Sequence, residues 1–180
     1  MRPPAVRGLE VTILDTGQGD GICIRTKSEV ILVDGGSTDQ KELGRYRLEP
    51  FLKSRGIRQV DLAIVTHGDW DHISGISWLM EQRAAEKERG ASGAVLIRKL
   101  AMPEIGKGED VYGRLEQLCV QQGERCCGSR GAMKKAGMPG FILHVCTRSL
   151  LPGEVNRHPA RTAMSILWYS VWITECFICS

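Results

Sequence analysis

The sequence is short of aromatic residues, of net charge and of long apolar runs. Aromatic residues make up 6% of its 180 residues, and its formal net charge is +3. A charge this small does not point to a polyanionic partner. No apolar run approaches the ~20 residues that cross a bilayer, and the N-terminus contains no apolar core of the signal-peptide kind. The chain as written is therefore expected to be cytoplasmic, without a transmembrane segment.

Histidine is scarce, and cysteine is irregularly placed. The seven cysteines are odd in number and unevenly spaced, which fits reduced thiols better than a disulfide framework. The hydrophobic fraction of 42% and the charged fraction of 25% are ordinary for a soluble globular protein. A chain of this length can build one sizeable core, so we expect a single domain over residues 1–180.

The first half of the chain alternates strand and helix patterns. Beta-branched runs separated by glycine-rich turns predict an antiparallel meander of three strands, at residues 9–15, 21–26 and 29–33. Apolar residues near helical spacing predict a helix over 41–55, ended by Gly56. The apolar run at 60–65 predicts a strand buried on both faces, and a second helix is expected over 73–89.

The second half carries weaker patterns. We expect a strand at 95–101 and a helix at 109–122. The glycine-rich, basic stretch 123–140 is typical of an exposed loop. Strands are expected at 141–147 and within 165–179, the latter as a possible hairpin.

Half of the four histidines lie in the stretch IVTHGDWDHISGI, residues 64–76. His67, Asp69, Asp71 and His72 directly follow the predicted buried strand. Alternate residues in a loop that leaves the carboxyl end of a strand can point to the same side, so these side chains can share one small volume. Carboxylates this close repel unless a cation lies between them, and imidazole with carboxylate suits zinc, manganese or iron. The arrangement predicts a metal site.

A second interpretation of this stretch is a polar loop. In it, the aspartates cap the following helix and the histidines are incidental. Either aspartate alone would fit, but the H-x-D-x-D-H spacing after a buried strand favours metal binding.

Four segments in series resemble a known family. THGDWDHISG resembles the H-x-[HD]-x-D-H metal motif of the metallo-β-lactamase fold, with aspartate at the third position. The upstream segments LDTGQGDGICIRT, ILVDGG and LKSRGIRQVDLAIVTH resemble, in the same order, those of the hydrolase domain of ComEC-type DNA-uptake (competence) proteins. The resemblance spans roughly residues 9–80, and several motifs in series are more specific than one.

The resemblance implies a fold and a metal site. The fold would be α/β, a metallo-β-lactamase-like αβ/βα sandwich with two facing sheets and the metals at one edge. His67 and Asp69 would bind one divalent ion, and Asp71 and His72 the second. Replacing a histidine by Asp69 makes the ligand set harder, which favours manganese, with zinc as the other candidate.

Three aspartates receive roles from the same resemblance. Asp71 is the catalytic candidate as well as a metal ligand. Asp34 would be the buried acidic residue that supports the metal loop, and Asp20 would lie near the same edge. Without the resemblance, Asp34 fits a turn aspartate before two glycines.

The sequence departs from the family after the motif. Family members carry, after this motif, a strand ending in a Gly-Asp whose aspartate bridges the metals, and later a His-His-Gly, and neither occurs between Ile73 and Ser180. We therefore expect mainly the N-terminal portion of the fold, with an incomplete C-terminal part. Such a chain should hold its two ions weakly and be a poor catalyst.

The implied chemistry is hydrolysis. In ComEC-type proteins this domain is implicated in degrading a DNA strand during uptake, so a metal-dependent phosphodiesterase or nuclease with DNA as substrate is the leading expectation. A hydrolase of the same fold acting on a small ester, thioester or lactam remains open, as does a catalytically inactive fragment. Proteins of this type also carry a membrane channel, and a domain fused to one would lie on the outer face of the cell membrane.

Overall fold

The computed structural model describes residues 6, 8–102, 110–123, 125–128, 136–138, 141–146 and 170–175. The chain falls into two compact units, residues 1–129 and residues 130–180. A single domain over residues 1–180 stays a prediction.

The first unit contains a six-stranded mixed sheet and a separate two-stranded one. Its strands are β1 (Glu10–Ile13), β2 (Gly21–Arg25), β3 (Val30–Asp34), β4 (Gln59–Val60), β5 (Leu62–Ile64), β6 (Leu96–Ile97), β7 (Lys99–Met102) and β8 (Arg125–Gly128). The large sheet has the order β1-β2-β3-β5-β7-β8, and β4 pairs with β6. The first three strands are antiparallel neighbours, which confirms the predicted meander. From β3 to β8 every pairing is parallel, so the carboxyl ends of β3 and β5 lie at the same edge.

Among the described residues, three α-helices accompany this sheet. They are α1 (Glu49–Ser54), α2 (Trp70–Glu88) and α3 (Asp110–Gln122), and a π-helical segment at Gly44–Leu48 precedes α1. The predicted helix over 41–55 therefore starts late. Its second part tolerates Pro50 because proline in the first helical turn lacks only an N–H that would be unpaired there.

Helix α2 begins three residues before the expected start at Ile73. Asp69 adopts an extended conformation (φ −71°, ψ 147°) and serves as the N-cap residue, so Trp70, Asp71 and His72 form the first turn. The polar character of these residues concealed the start of the helix from a pattern based on apolar spacing.

Two expectations for the second half need correction. The strand expected over 95–101 is two short strands that separate at Arg98, whose backbone N–H donates to Val60 O of β4. The stretch 123–140, expected to be an exposed loop, includes Arg125–Gly128, which pairs in parallel with β7. That strand forms through pairing with a distant segment, which the local glycine-rich composition does not reveal.

The core of the first unit lies between the large sheet and the helices. Its largest fully buried side chains are Leu32, Leu48, Leu52, Ile57, Ile64, Ile73, Ile76, Leu79, Met80, Leu100, Leu115 and Val60.

Cys23 is buried with a free thiol, whereas Cys119 is disulfide-bonded, so the expectation of reduced thiols is wrong at Cys119.

The second unit contains an antiparallel three-stranded sheet. Its strands are β9 (Ala136–Met138), β10 (Phe141–Cys146) and β11 (Ser170–Glu175), in the order β11-β10-β9. The strand expected at 141–147 is confirmed. Of the expected hairpin within 165–179, the strand Ser170–Glu175 is present, and the other residues lie outside the described ones.

Across the described residues, no helix combines the length and apolar character needed to cross a membrane.

Candidate metal centre

The candidate centre lies where β3 and β5 end. Asp34, the last residue of β3, has a left-handed backbone conformation (φ 54°) that non-glycine residues rarely adopt. Its buried carboxylate accepts hydrogen bonds from the backbone N–H of Thr66 (2.8 Å) and from Thr66 Oγ1 (2.7 Å). Asp34 therefore fixes the first residues of the loop that connects β5 to α2.

Three side chains from this loop and the first turn of α2 converge. His67, Asp71 and His72 each offer a ligand atom, and these atoms all lie within 4.8 Å of one another. The two imidazole rings have their centroids 3.6 Å apart. Asp69 Oδ2 lies 3.4 Å from His67 Nε2, and Asp71 Oδ2 lies 3.6 Å from His72 Nε2. The four candidate ligands thus form two histidine–aspartate pairs.

A chain of hydrogen bonds engages the Nδ1 atom of each histidine. The Thr66 hydroxyl donates to Asp34 Oδ2, so its oxygen can accept from His67 Nδ1, 3.1 Å away. His72 Nδ1 lies 3.1 Å from the same Asp34 oxygen, and a carboxylate can only accept. In the neutral form of each ring, Nδ1 therefore carries the proton and Nε2 faces an aspartate oxygen.

This arrangement fits divalent ions. A lone pair facing a carboxylate oxygen is repulsive unless a proton or a metal cation lies between them. Two donors bound to one ion at ~2.1 Å and at a tetrahedral angle lie ~3.4 Å apart. The observed 3.4 Å and 3.6 Å separations match that value, so each pair of donors suits one ion.

Electrostatics around His72 also favour positive charge. Burial lowers the pKa of His72, but the hydrogen bond to Asp34 and the charges of Asp34, Asp71 and Asp20 together outweigh burial and raise it above its ordinary value. The acidic surroundings that stabilise the imidazolium would stabilise a metal cation in the same way.

Backbone contacts hold the glycine pair after β3 against α2. Gly35 donates its N–H to His72 O (2.9 Å), and Gly35 O accepts from the N–H of Gly75 (2.8 Å). A Cβ atom on Gly75 would lie 2.2 Å from Gly35 O, and one on Gly36 would lie 2.5 Å from the backbone of Asp71. Glycine at these positions therefore allows the close approach that places Asp71 and His72 beside Asp34.

The aspartates expected at the centre differ in exposure. Asp71 retains 31% of its side-chain exposure, and Asp69 retains 79%. Asp69 occupies the N-cap position of α2, yet its side chain makes no capping hydrogen bond, so the helix-capping interpretation has no support there. Asp20 is exposed, with Oδ2 3.7 Å from His72 Nδ1, and its backbone N–H donates to Asp71 O (3.2 Å). These aspartates lie near the edge of the large sheet where β3 and β5 end. The roles of Asp69 and Asp71 as metal ligands remain predictions.

The sequence interpretation missed Thr66. Its hydroxyl joins Asp34 to His67, and the residue is buried. Threonine is common in ordinary strands, so its presence directly before His67 did not indicate a role in the site.

Comparisons with known proteins identify the family of the chain. The family model described as "Metallo-beta-lactamase superfamily" matches residues 14–113, which include the whole cluster. ComE operon protein 3 of Bacillus subtilis is 33% identical over 92 residues, covering 43% of this chain and 12% of that protein. Competence protein ComA of Neisseria gonorrhoeae is 36% identical over 76 residues, covering 41% of this chain and 11% of that protein. The matches thus span little more than a tenth of these relatives.

A solved structure has a similar fold. The crystal structure of the metallo-beta-lactamase fold protein YhfI from Bacillus subtilis has a TM-score of 0.51 with this chain and 16% sequence identity. The similarity covers 92% of this chain and 58% of that chain. At this identity the comparison concerns the fold alone.

Proposed function

The chain belongs to the metallo-beta-lactamase superfamily, and from that premise we propose that it is a metal-dependent phosphodiesterase that cleaves DNA. The proposed ligands are His67 and Asp69 for one divalent ion and Asp71 and His72 for the other. Manganese is the leading metal and zinc the second candidate, because two carboxylates make the ligand set hard.

One observation carries the proposal. Hydrogen bonds linked through Asp34 and Thr66 engage the Nδ1 atoms of His67 and His72, and the Nε2 atoms lie 3.4 Å and 3.6 Å from an aspartate oxygen. A polar capping loop needs no such orientation of two imidazole rings, whereas ion binding does.

The residues of the centre would divide the work. Asp34 holds the proton on His72 Nδ1 and so keeps Nε2 available, and Thr66 does the same for His67. Asp71 is proposed as the catalytic residue because, within the cluster of three, its side chain is the most accessible to an approaching substrate. Divalent ions, when bound, supply the charge that activates water and polarises a phosphoryl group.

The choice of DNA rests on the relatives and on the motifs in series. A match to a protein named as a competence protein supports a role in DNA uptake. The hard ligand set favours phosphoesters over lactams and thioesters. As part of a larger uptake protein, the domain would act on the outer face of the cell membrane.

A nuclease assay tests the proposal. The purified chain should cleave a labelled single-stranded DNA, and a phosphodiester model compound, when manganese is added and not in EDTA. Cleavage should be slow because four protein donors are shared between two ions. Asp71→Ala should lose at least ~100-fold of that activity, while Asp15→Ala, a control at a side chain that is 86% exposed, should retain it.

A different outcome would identify another hydrolase. Manganese-dependent opening of β-lactams or thioesters, with phosphodiesters left intact, would replace the proposed reaction with the second candidate. Metal binding without any hydrolysis would indicate an inactive protein.

A further inference from the structure

A cavity of about 650 Å³ lies beside the candidate metal centre. One wall is the segment 37–46, and the other is the first three turns of α2. Its size falls within the ~300–1,000 Å³ typical of small-molecule sites. We call this cavity the α2 groove.

Aromatic side chains line the α2 groove with their surfaces exposed. Trp70 is 61% exposed and Tyr46 is 63% exposed, and both belong to the few large apolar side chains that remain accessible among the described residues. Trp78, two turns further along α2, packs against the backbone at Gly44, where a Cβ atom would lie 2.6 Å from it. Exposed rings of this kind offer flat surfaces on which a planar group can stack.

The charges of the α2 groove favour an anion. Its two acidic residues are neutralised by neighbours, because Glu42 pairs with Arg45 and Glu81 pairs with Arg114. Lys41 makes no ion pair within the described part of the chain, so its charge remains available to a ligand.

The cation of the Glu42–Arg45 pair lies beside one of the aromatic rings. The Arg45 guanidinium carbon is 5.1 Å from the centre of the Tyr46 ring. The α2 groove therefore combines stacking surfaces with the positive charge of Lys41, two features that proteins use to bind single-stranded nucleic acids.

The α2 groove adjoins the reacting centre through one residue. Trp70 lies between Asp69 and Asp71 in the sequence and forms part of the same first turn of α2. A base stacked on Trp70 would therefore bring its own phosphate next to the cluster.

We propose that the α2 groove binds bases of a single-stranded polynucleotide, with Trp70 and Tyr46 as stacking surfaces and Lys41 contacting a phosphate. This inference rests on the proposed function for the presence of a nucleic-acid substrate, and it adds the strand preference. A duplex hides its base faces, so single strands are the form that fits.

Binding in EDTA tests the groove separately from catalysis. Fluorescence anisotropy of a labelled oligothymidylate in EDTA should show binding to the unmodified chain without any bound ion. Trp70→Ala should weaken binding by roughly 5- to 150-fold, the range for loss of one stacked base. Tyr46→Ala should act in the same direction. Val120→Ala, at a residue that is 75% exposed on α3, is the control and should bind normally.

An abasic oligonucleotide of the same length separates stacking from charge. It should bind the unmodified chain about as weakly as the normal oligonucleotide binds Trp70→Ala. Equal affinity of the abasic and normal strands, or unchanged binding by Trp70→Ala and Tyr46→Ala, would overturn the inference. If Trp70→Ala cleaves DNA as well as the unmodified chain does, base binding in the α2 groove is refuted and the phosphodiesterase proposal stands. If the chain binds bases in the groove but does not cleave DNA, the phosphodiesterase proposal is refuted and base binding stands.

Discussion

Asp34 Oδ2 lies 3.1 Å from His72 Nδ1, across 38 residues of sequence, and this contact joins the end of β3 to the first turn of α2. The same oxygen accepts the Thr66 hydroxyl, so one buried carboxylate orients both histidines of the cluster. The backbone of Asp34 has a left-handed conformation, which is strained for a residue other than glycine. Such strain persists only where the surrounding structure maintains it.

Replacing this carboxylate by an amide should impair metal binding. In Asp34→Asn, the amide NH₂ can face His72 Nδ1, which would move the imidazole proton to Nε2. Metal affinity should fall by ~10- to 100-fold, as is usual for partners that orient a ligand. The free energy of unfolding should fall by ~1–3 kcal/mol. Competition with a fluorescent chelator and urea denaturation measure the two effects, and affinity equal to that of the unmodified chain would contradict the assigned role.

The hydroxyl group of Thr66, and not the size of its side chain, should determine the affinity for manganese. Thr66→Val keeps the shape but removes the acceptor for His67 Nδ1, so manganese affinity should fall by ~10-fold or more. Thr66→Ser keeps the hydroxyl and should bind manganese nearly as the unmodified chain does. If the valine and serine variants bind equally, the hydroxyl does not orient His67.

Gly75 should not tolerate a methyl group. Gly75→Ala would place a Cβ atom 2.2 Å from Gly35 O, so α2 must move away from β3. We expect a loss of ~1–3 kcal/mol in the free energy of unfolding. The matched control is Gly113→Ala in α3, where nothing lies within 4 Å of the added atom, and a gain of ~0.5–1 kcal/mol is expected there. Thermal or urea denaturation of both variants checks the pair, and equal stability would argue against the close packing.

Stability should also depend on pH through Glu86. Hydrogen bonds from the backbone N–H groups of Ala94 and Gly93 hold its pKa below the ordinary 4.5. A carboxyl whose pKa is lower in the folded chain stabilises it above the unfolded pKa, and that contribution is lost as pH falls through the folded pKa. Glu86→Gln should therefore be less stable than the unmodified chain at neutral pH, and the difference should shrink in acid. A difference that is constant with pH would show that these hydrogen bonds do not depend on the charge.

Local patterns were enough to predict much of the fold. The antiparallel meander was predictable because its beta-branched runs and turns are contiguous in sequence. The resemblance to the metallo-β-lactamase family and to competence proteins is confirmed by the matches, and with it the α/β fold class. Strand β8 was missed because only its pairing with β7 identifies it.

The candidate site was partly predictable. The sequence indicated the cluster because its members lie within six positions. The resemblance predicted that Asp34 supports the metal loop, whereas its residue pattern alone fitted a turn aspartate. The contacts with Thr66 and His72 depend on a left-handed backbone conformation and on parallel pairing of β3 with β5, which local patterns do not reveal. The exposure of Trp70 likewise follows from where α2 begins, three residues before its apolar pattern.

The most direct test of the account is a count of bound manganese. Titration of the chain with Mn²⁺, followed by the electron paramagnetic resonance signal of the free ion, should show two binding sites per chain. Asp71→Ala and His67→Ala should each lose at least one of them, while Asp15→Ala, whose exposed carboxylate pairs with Arg47, should keep both. No bound manganese in the unmodified chain, or binding that is unchanged in Asp71→Ala and His67→Ala, would contradict the claim that these residues hold metal ions.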